Sequence, residues 1–457
     1  VSFRDAVLAT GHFRSETSIF LARSPGRLDL MGGNVDYTGG LVFQATIGEG
    51  TCAAVQLRTD GLVVLVNSQI REHDGSTDYL EFSFAALTTD EAVRALIGRD
   101  PNGRWAAYVL GVFYLLRQRY PEAVKAGATV YIESTIPPNK GVASSAAIEV
   151  AVMKAAVAAY GLGLDGIALA EACQWVENVI AQSPCGVMDQ AAVVLGEENC
   201  VLPLLCQPCR PYPLTRLPEA IECRAIDSGV RHSVAGSACE TARAAAFMAY
   251  KMICDWERLP VTLSNSGFIS RYTDSRWNGY LSNLPVSIFR SRFEARLPES
   301  VSGAAYLESY RAHVDPYTNV HLDVAYPVRA AARYAVEENL RVCLFVELAR
   351  GAREADTFRT MGELMYQSHY AYTECGLGCE ATDYIVELVR SEGSGGGLYG
   401  AKMTGGGAGG TVAVLCERGS DAAFERVIER YAEHSGIVPY VFRGSSPGAD
   451  RYGVETA

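Results

Sequence analysis

Residues 134–161, STIPPNKGVASSAAIEVAVMKAAVAAYG, carry the reading that decides the fold. A β-like run ends in a Pro-Pro turn, Gly141 follows, and Ser144-Ser145 open an Ala-rich helix that Gly161 closes. The first amides of a helix have no partner inside it, and the helix dipole adds positive potential at that end. A glycine turn leading into such an end can cradle an anion without a lysine. A serine there can turn its hydroxyl to Mg²⁺, or it can simply cap the helix.

Two further glycine-punctuated stretches flank this one. Residues 22–47, ARSPGRLDLMGGNVDYTGGLVFQATI, gather Arg27, Asp29, Asn34 and Asp36 into a turn-rich stretch between β-like runs. Turns use Asn, Asp and Gly for backbone reasons, so their presence alone does not make a site. Residues 405–410, GGGAGG, satisfy G-x-G-x-x-G literally. TVAVL follows as a strand, where a dinucleotide site needs a helix, and a flexible hairpin loop explains the match equally well. No G-x-x-x-x-G-K-[ST] phosphate loop occurs.

Composition limits the partners. The chain has 457 residues, 40 Lys+Arg against 52 Asp+Glu, a net charge of −12 and 44 glycines. An acidic chain without a basic run does not suit nucleic acid or an anionic membrane surface. Thirteen cysteines, scattered and often inside apolar runs, fit reduced thiols in a cytoplasmic protein. The pairs Cys206/Cys209 and Cys375/Cys379 lie far apart and lack the histidines that would complete a zinc site. No signal peptide shows at the start, and the longest apolar run, 148–164, carries Glu149 and Lys154 and is too short to span a bilayer.

Pattern along the chain predicts separate strands for SIFLARS, LVFQATI, CAAVQL and GLVVLVNS, then ATVYIES. Helices follow at 144–160 and from Asp165, whose apolar stripe runs through Ile167, Ala170, Cys173, Val176 and Ile180. ECRAID reads as a strand and 240–256 as a helix, whereas 258–323 has no clean period. Two helical patterns run from 325 to about 373. A helix (382–391), strand (398–404), strand (411–416), helix (421–434) and strand (438–442) then suggest an α+β sandwich.

The three segments, in this order, resemble the GHMP kinase superfamily. SPGRLDLMGGNVDYTGG is similar to the sugar-binding signature of its galactokinase-like branch, GVASSAA to its phosphate loop, and GAKMTGGGAGG to its C-terminal glycine loop. RWAAYVLGV (104–112), PCGVMDQ (184–190) and DSGVRHS (227–233) extend the likeness. Within the branch, RHSVAG, VENVIAQSPCGVMDQ and GELMYQSHYAYTECGLG are most similar in character to the L-arabinokinases.

That resemblance implies an α+β, two-domain fold with the active site in the interdomain cleft. An N-terminal mixed β/α domain with a left-handed β-α-β unit would span 1–215. A C-terminal ferredoxin-like sandwich would span 216–457, with the 258–323 region as an irregular insertion. It implies ATP as co-substrate, Mg²⁺, a small sugar as acceptor, and neither nucleic acid nor membrane as partner. Asp189 takes the place of the catalytic base and Arg27 that of its cationic partner. Gly141, Val142, Ala143, Ser144, Ser145 and Ala146, with Gly406 and Gly407, would hold ATP, and Trp105 would line the adenine side. Ser144 and Glu177 would hold the metal.

Gly33, Asn34, Asp36, Tyr37, Gly186 and Cys239 would meet the sugar. Galactokinases carry Gly-Glu-His-x-Asp-Tyr where this chain has Gly32-Gly33-Asn34-Val35-Asp36-Tyr37. The missing Glu belongs to the group that recognises an exocyclic 6-hydroxyl, which L-arabinose lacks. Cys239 stands where the family has Tyr, which enlarges the pocket. The expected activity is therefore sugar-1-phosphorylation of L-arabinose. The alternatives are galactose or a uronic acid as substrate, or a sensor that binds ATP and sugar without transfer.

Overall fold

A computed structural model describes residues 2–67, 69–70, 76–230, 237–351 and 354–457. The turn-rich stretch expected between the β-like runs is strand in its first part. Phe20–Met31 is one continuous strand that includes Arg27 and Asp29, and only residues 32–40 turn. Pro25 does not end it because the register shifts between Pro25 and Arg27, so the missing proline N–H falls at a bulge. LVFQATI and CAAVQL are likewise one strand, Leu41–Leu57, paired antiparallel with Phe20–Met31 over nearly its whole length.

These two strands anchor an eight-stranded mixed sheet. Leu41–Leu57 pairs antiparallel with Ala128–Ser134, which runs parallel to Leu62–Val66, and Tyr79–Ser83 lies at that edge. At the other edge stands Val454–Thr456, paired with Phe20–Ala22. The expected boundary therefore needs correcting. The chain leaves the first unit near residue 215 and returns to it for its last strand.

The helices Ala106–Arg119, Ser144–Ala159, Gly166–Trp175 and Met188–Leu195 pack with this sheet in one large apolar core. Their sequences are mostly small and apolar, as helices buried on most sides should be. The second unit has four antiparallel strands in the spatial order Leu398–Met403, Thr411–Glu417, Ile221–Asp227, Val441–Phe442. Numbered along the chain this order is 2-3-1-4, the ferredoxin-like arrangement. The last strand is two residues long, shorter than the expected 438–442. Helices Ala355–Glu374, Glu380–Glu392 and Asp421–Ser435 complete the sandwich.

The aperiodic 258–323 stretch is ordered. It holds a hairpin (Thr262–Ser266 with Ile269–Thr273), short turns of helix and the helix Gly303–Tyr310. Trp277, Phe289, Phe293 and Tyr306 build a separate core against the helices Ser237–Trp256 and Val328–Gly351. Another apolar cluster joins Leu28, Phe43 and Val142 of the first unit to Phe345, Met361 and Ala413 of the second. Among the described residues, no helix is long and apolar enough to cross a membrane.

Candidate active site

The helix Ser144–Ala159 starts at the seam between the two units. Its N-cap position is Ala143, in left-handed backbone at φ 61°, and no side chain caps it. The serine hydroxyls are therefore not spent on capping, and left-handed geometry at a residue with a Cβ is strain of the kind found at functional sites. The glycine loop of the second unit lies directly against this turn. A Cβ on Gly405 would stand 2.6 Å from the Gly141 carbonyl oxygen, and one on Gly410 would stand 2.7 Å from that of Lys140. Backbone meets backbone here, so the glycines are needed for close approach. Two of the loop's amides are already engaged: Ala408 N donates to Leu377 O and Gly410 N to Val230 O.

Arg27 ties the parts together. Its Nε and Nη2 donate to Asp189 Oδ1 at 2.9 and 2.7 Å, and its Nη1 donates to the Gly141 carbonyl at 2.7 Å. All three bonds come from a side chain only 2% exposed, on a strand that Val142 also grips through Arg27 N. Burial works against the Arg27 charge, but Asp189 and Asp29 outweigh it and hold it firmly protonated. Asp189 opens the helix Met188–Leu195, keeps Oδ2 clear of Arg27, and remains partly exposed.

Asp36 lies in the 32–40 turn and accepts from Tyr37 N at 2.9 Å and Met188 N at 3.3 Å. Burial and the neighbouring Asp189 charge push its carboxyl up to about 6, against the pull of these bonds and Arg243. Gly186 is glycine because a Cβ there would meet Asp36 Oδ2 at 2.0 Å. Asn34, at φ 56°, bridges the units: its Nδ2 donates to Gly406 O at 3.3 Å, and Cys239 Sγ donates to its Oδ1 at 3.2 Å. At Gly33 a Cβ would lie 2.1 Å from Tyr372 Oη and 2.4 Å from Asp29 Oδ2. A side chain here would have to displace the ends of both Tyr372 and Asp29. Tyr372 fills the position from the second unit and donates to Gly405 O at 2.9 Å.

Glu177 sits in a single π-helical turn, Val176–Ile180, that follows the helix Gly166–Trp175. The extra residue per turn aims it inward from the edge of the apolar stripe, a use to which such turns are often put. Its carboxylate has only neutral donors: Ser145, Cys185 and Gln190, whose Nε2 is 2.6 Å away. Burial and Asp189 raise it to about 7. Ser145, rather than Ser144, is the hydroxyl placed on it. Gln190 also donates to Glu149 at 3.2 Å, a second buried carboxyl that desolvation pushes well up.

Trp105 is a core residue. It is 7% exposed, and its indole N–H donates to Thr77 O at 2.8 Å. Arg231, His232 and Ser233 of the DSGVRHS motif lie outside the described residues. The sequence reading passes over Tyr372 and Lys402. Both fall inside quoted motifs, yet only the fold brings them beside Gly33 and Asp29.

Residues 10–57 match the galactokinase galactose-binding signature, 107–197 the GHMP kinases N terminal domain and 347–433 the GHMP kinases C terminal domain. The chain is 37% identical to L-arabinokinase of Arabidopsis thaliana over 98% of its own length, and it spans about half, 48%, of that relative. It is 28% identical to a galactokinase of Roseiflexus sp. (strain RS-1), covering 93% of this chain and 91% of that one. Among solved structures, Lactococcus lactis galactokinase complexed with galactose superposes with a TM-score of 0.77 at 21% identity, over 99% of this chain and all of that one. The sheet order, the seam between the units and the three matched segments lead to one conclusion: the chain has the two-domain GHMP kinase fold, with a galactokinase signature at its start.

Proposed function

We propose that the protein transfers the γ-phosphate of ATP to the anomeric hydroxyl of L-arabinose, giving β-L-arabinose 1-phosphate. The observation that carries this is Arg27, which holds Asp189 with two bonds and the Gly141 carbonyl with a third. It thereby fixes an acceptor-side carboxylate to the edge of the phosphate-side turn. Phosphoryl transfer depends chiefly on alignment and charge stabilisation, which such a brace supplies. Asp189 Oδ2, clear of Arg27, orients the attacking hydroxyl and takes its proton as the new P–O bond forms. Arg27 offsets charge that develops between nucleophile and phosphate.

ATP is the co-substrate, with its phosphates over the turn at 141–146 and against the loop at Gly406–Gly407. The donor set also fits Mg²⁺. Glu177 is a buried carboxylate with only neutral partners, and uncapped Ser144 and Ser145 stand at the start of the helix, Ser145 bonded to Glu177. Bound there, Mg²⁺ would neutralise phosphate charge. Glu177 with Ser144 or Ser145 would hold it. Asp36, Asn34 and Gly186 line the acceptor side. L-Arabinose rather than a hexose is favoured because position 33 is a glycine with Tyr372 Oη against it, where galactokinases carry the carboxylate that reads an exocyclic hydroxyl.

ADP release measured over L-arabinose, galactose and galacturonate tests the assignment, with L-arabinose expected to give the highest kcat/KM. Asp189→Asn should lower kcat by roughly a hundredfold or more with sugar binding and melting temperature retained. Full activity in that variant, or a clear preference for galactose, would reject the reading.

A further inference from the structure

The 258–323 insertion does more than cover the second unit. Its residues, Asp315, Tyr317 and Arg271 among them, line a pocket together with Asp36, Cys185 and Gly186. Arg243 lines it too, on the helix Ser237–Trp256 and 3% exposed. Asp315 accepts from its Nε at 2.8 Å and its Nη2 at 2.9 Å. The Tyr37 and Tyr317 rings lie 5.1 and 5.5 Å from the guanidinium carbon. This clamp uses two of the three guanidinium nitrogens. The third, Nη1, is buried and has no hydrogen-bond partner.

A second orphan lines the same pocket. Gln174 is 8% exposed, and its Nε2 donates to the Cys185 carbonyl at 3.3 Å, which fixes the amide's orientation. Its Oε1 is buried without a donor. A buried polar atom left unpaired costs free energy, so an unpaired donor and an unpaired acceptor on one pocket call for an explanation. Asp315 already compensates the Arg243 charge, so what Arg243 adds to the pocket is the pair of N–H groups on Nη1. With the Gln174 acceptor and Asp36 on the same pocket, that chemistry suits hydroxyl groups, which both donate and accept.

We propose that Arg243 and Gln174 are specificity-determining residues that bind sugar hydroxyls remote from the one attacking phosphate. Arg243 Nη1 donates to one such hydroxyl, and Gln174 Oε1 accepts from another. Asp36 links the two sides, since it lines the pocket with Arg243 and Gln174 and accepts from Met188 N, the residue before Asp189. The insertion contributes by holding Arg243 through Asp315. This rests on the sugar-kinase reading and assigns the acceptor's far side within it.

The test measures L-arabinose affinity by calorimetry without ATP, for wild type, Arg243→Lys and Gln174→Leu, and repeats it with the 2-, 3- and 4-deoxy analogues. Arg243→Lys keeps a cation for Asp315, and Gln174→Leu leaves the clamp intact, so misfolding of one variant does not remove the other. Each variant should weaken L-arabinose roughly 10- to 100-fold, the loss of one hydrogen bond to a buried group. Each should also stop discriminating against one deoxy analogue that the wild type rejects, with KM for ATP and kcat within about twofold of wild type. Unchanged affinity, unchanged discrimination, or a loss confined to kcat or ATP would overturn the proposal. Wild type that binds L-arabinose without releasing ADP would instead overturn the kinase reading and leave these binding results to decide the roles of Arg243 and Gln174.

Discussion

Asp36 has a carboxyl raised from 3.8 to about 6, chiefly by burial and then by Asp189, which reverses the usual effect of acid on a structural aspartate. Between about pH 4 and pH 6 the folded protein keeps this proton while the unfolded chain has lost it. Folding takes up a proton in that window, so stability falls as pH rises through it, and the deficit persists above. Roughly two pKa units correspond to a ceiling of about 3 kcal/mol. Asp36→Asn should therefore melt above wild type at pH 7.5 in the absence of sugar, and the gap should close below pH 4. The gain will fall short of the ceiling, because an amide oxygen can keep only one of the two bonds from Tyr37 N and Met188 N. The same variant should bind sugar more weakly, the exchange of stability for function common at binding sites. Melts across pH 4–8 decide it, and a variant less stable than wild type at pH 7.5 would refute the argument.

At the scale of elements, the site is made by two glycine turns pressed together. Gly405→Ala forces a Cβ toward the Gly141 carbonyl at a position where φ is +73°. The expected result is a raised KM for ATP, roughly tenfold or more, with L-arabinose affinity much less affected, read from initial rates at varied ATP. The helices here were legible from pattern: 144–160, 240–256 and 421–434 all fall within a few residues of the observed spans. The strands through Pro25-Gly26 and Gly48–Gly50 were not, because bulges and edge positions let a strand absorb residues that usually end one. Glu177 was placed on its helix correctly, but its inward aim depends on a π turn that no spacing announces. The motif residues Arg27, Asp36 and Asp189 could be read from the sequence. Gln174, Arg243 and Asp315 could not, since their roles depend on an insertion without periodicity folding back over residue 36.

Over the whole molecule, the two units are joined by apolar contact and by one wholly buried ion pair. Lys402 Nζ lies 2.6 Å from Asp29 Oδ2, both side chains are 0% exposed, and Gln44 donates to the other carboxylate oxygen at 2.7 Å. Removing only the cation strands a charge in the interior. Lys402→Met should cost about 3–5 kcal/mol in urea denaturation, and adding Asp29→Asn should recover part of it. A loss no larger than that of a surface pair would show the bridge to be incidental. The pairing of Val454–Thr456 with Phe20–Ala22 has a different kind of consequence. The first sheet borrows its outer strand from a segment made more than four hundred residues later. Until that segment emerges from the ribosome, the early strand presents open N–H and C=O groups to any passing chain. The outer edge at Phe20–Ala22 is thus closed only after a pairing across almost the whole chain, the kind of non-local contact that is slow to form.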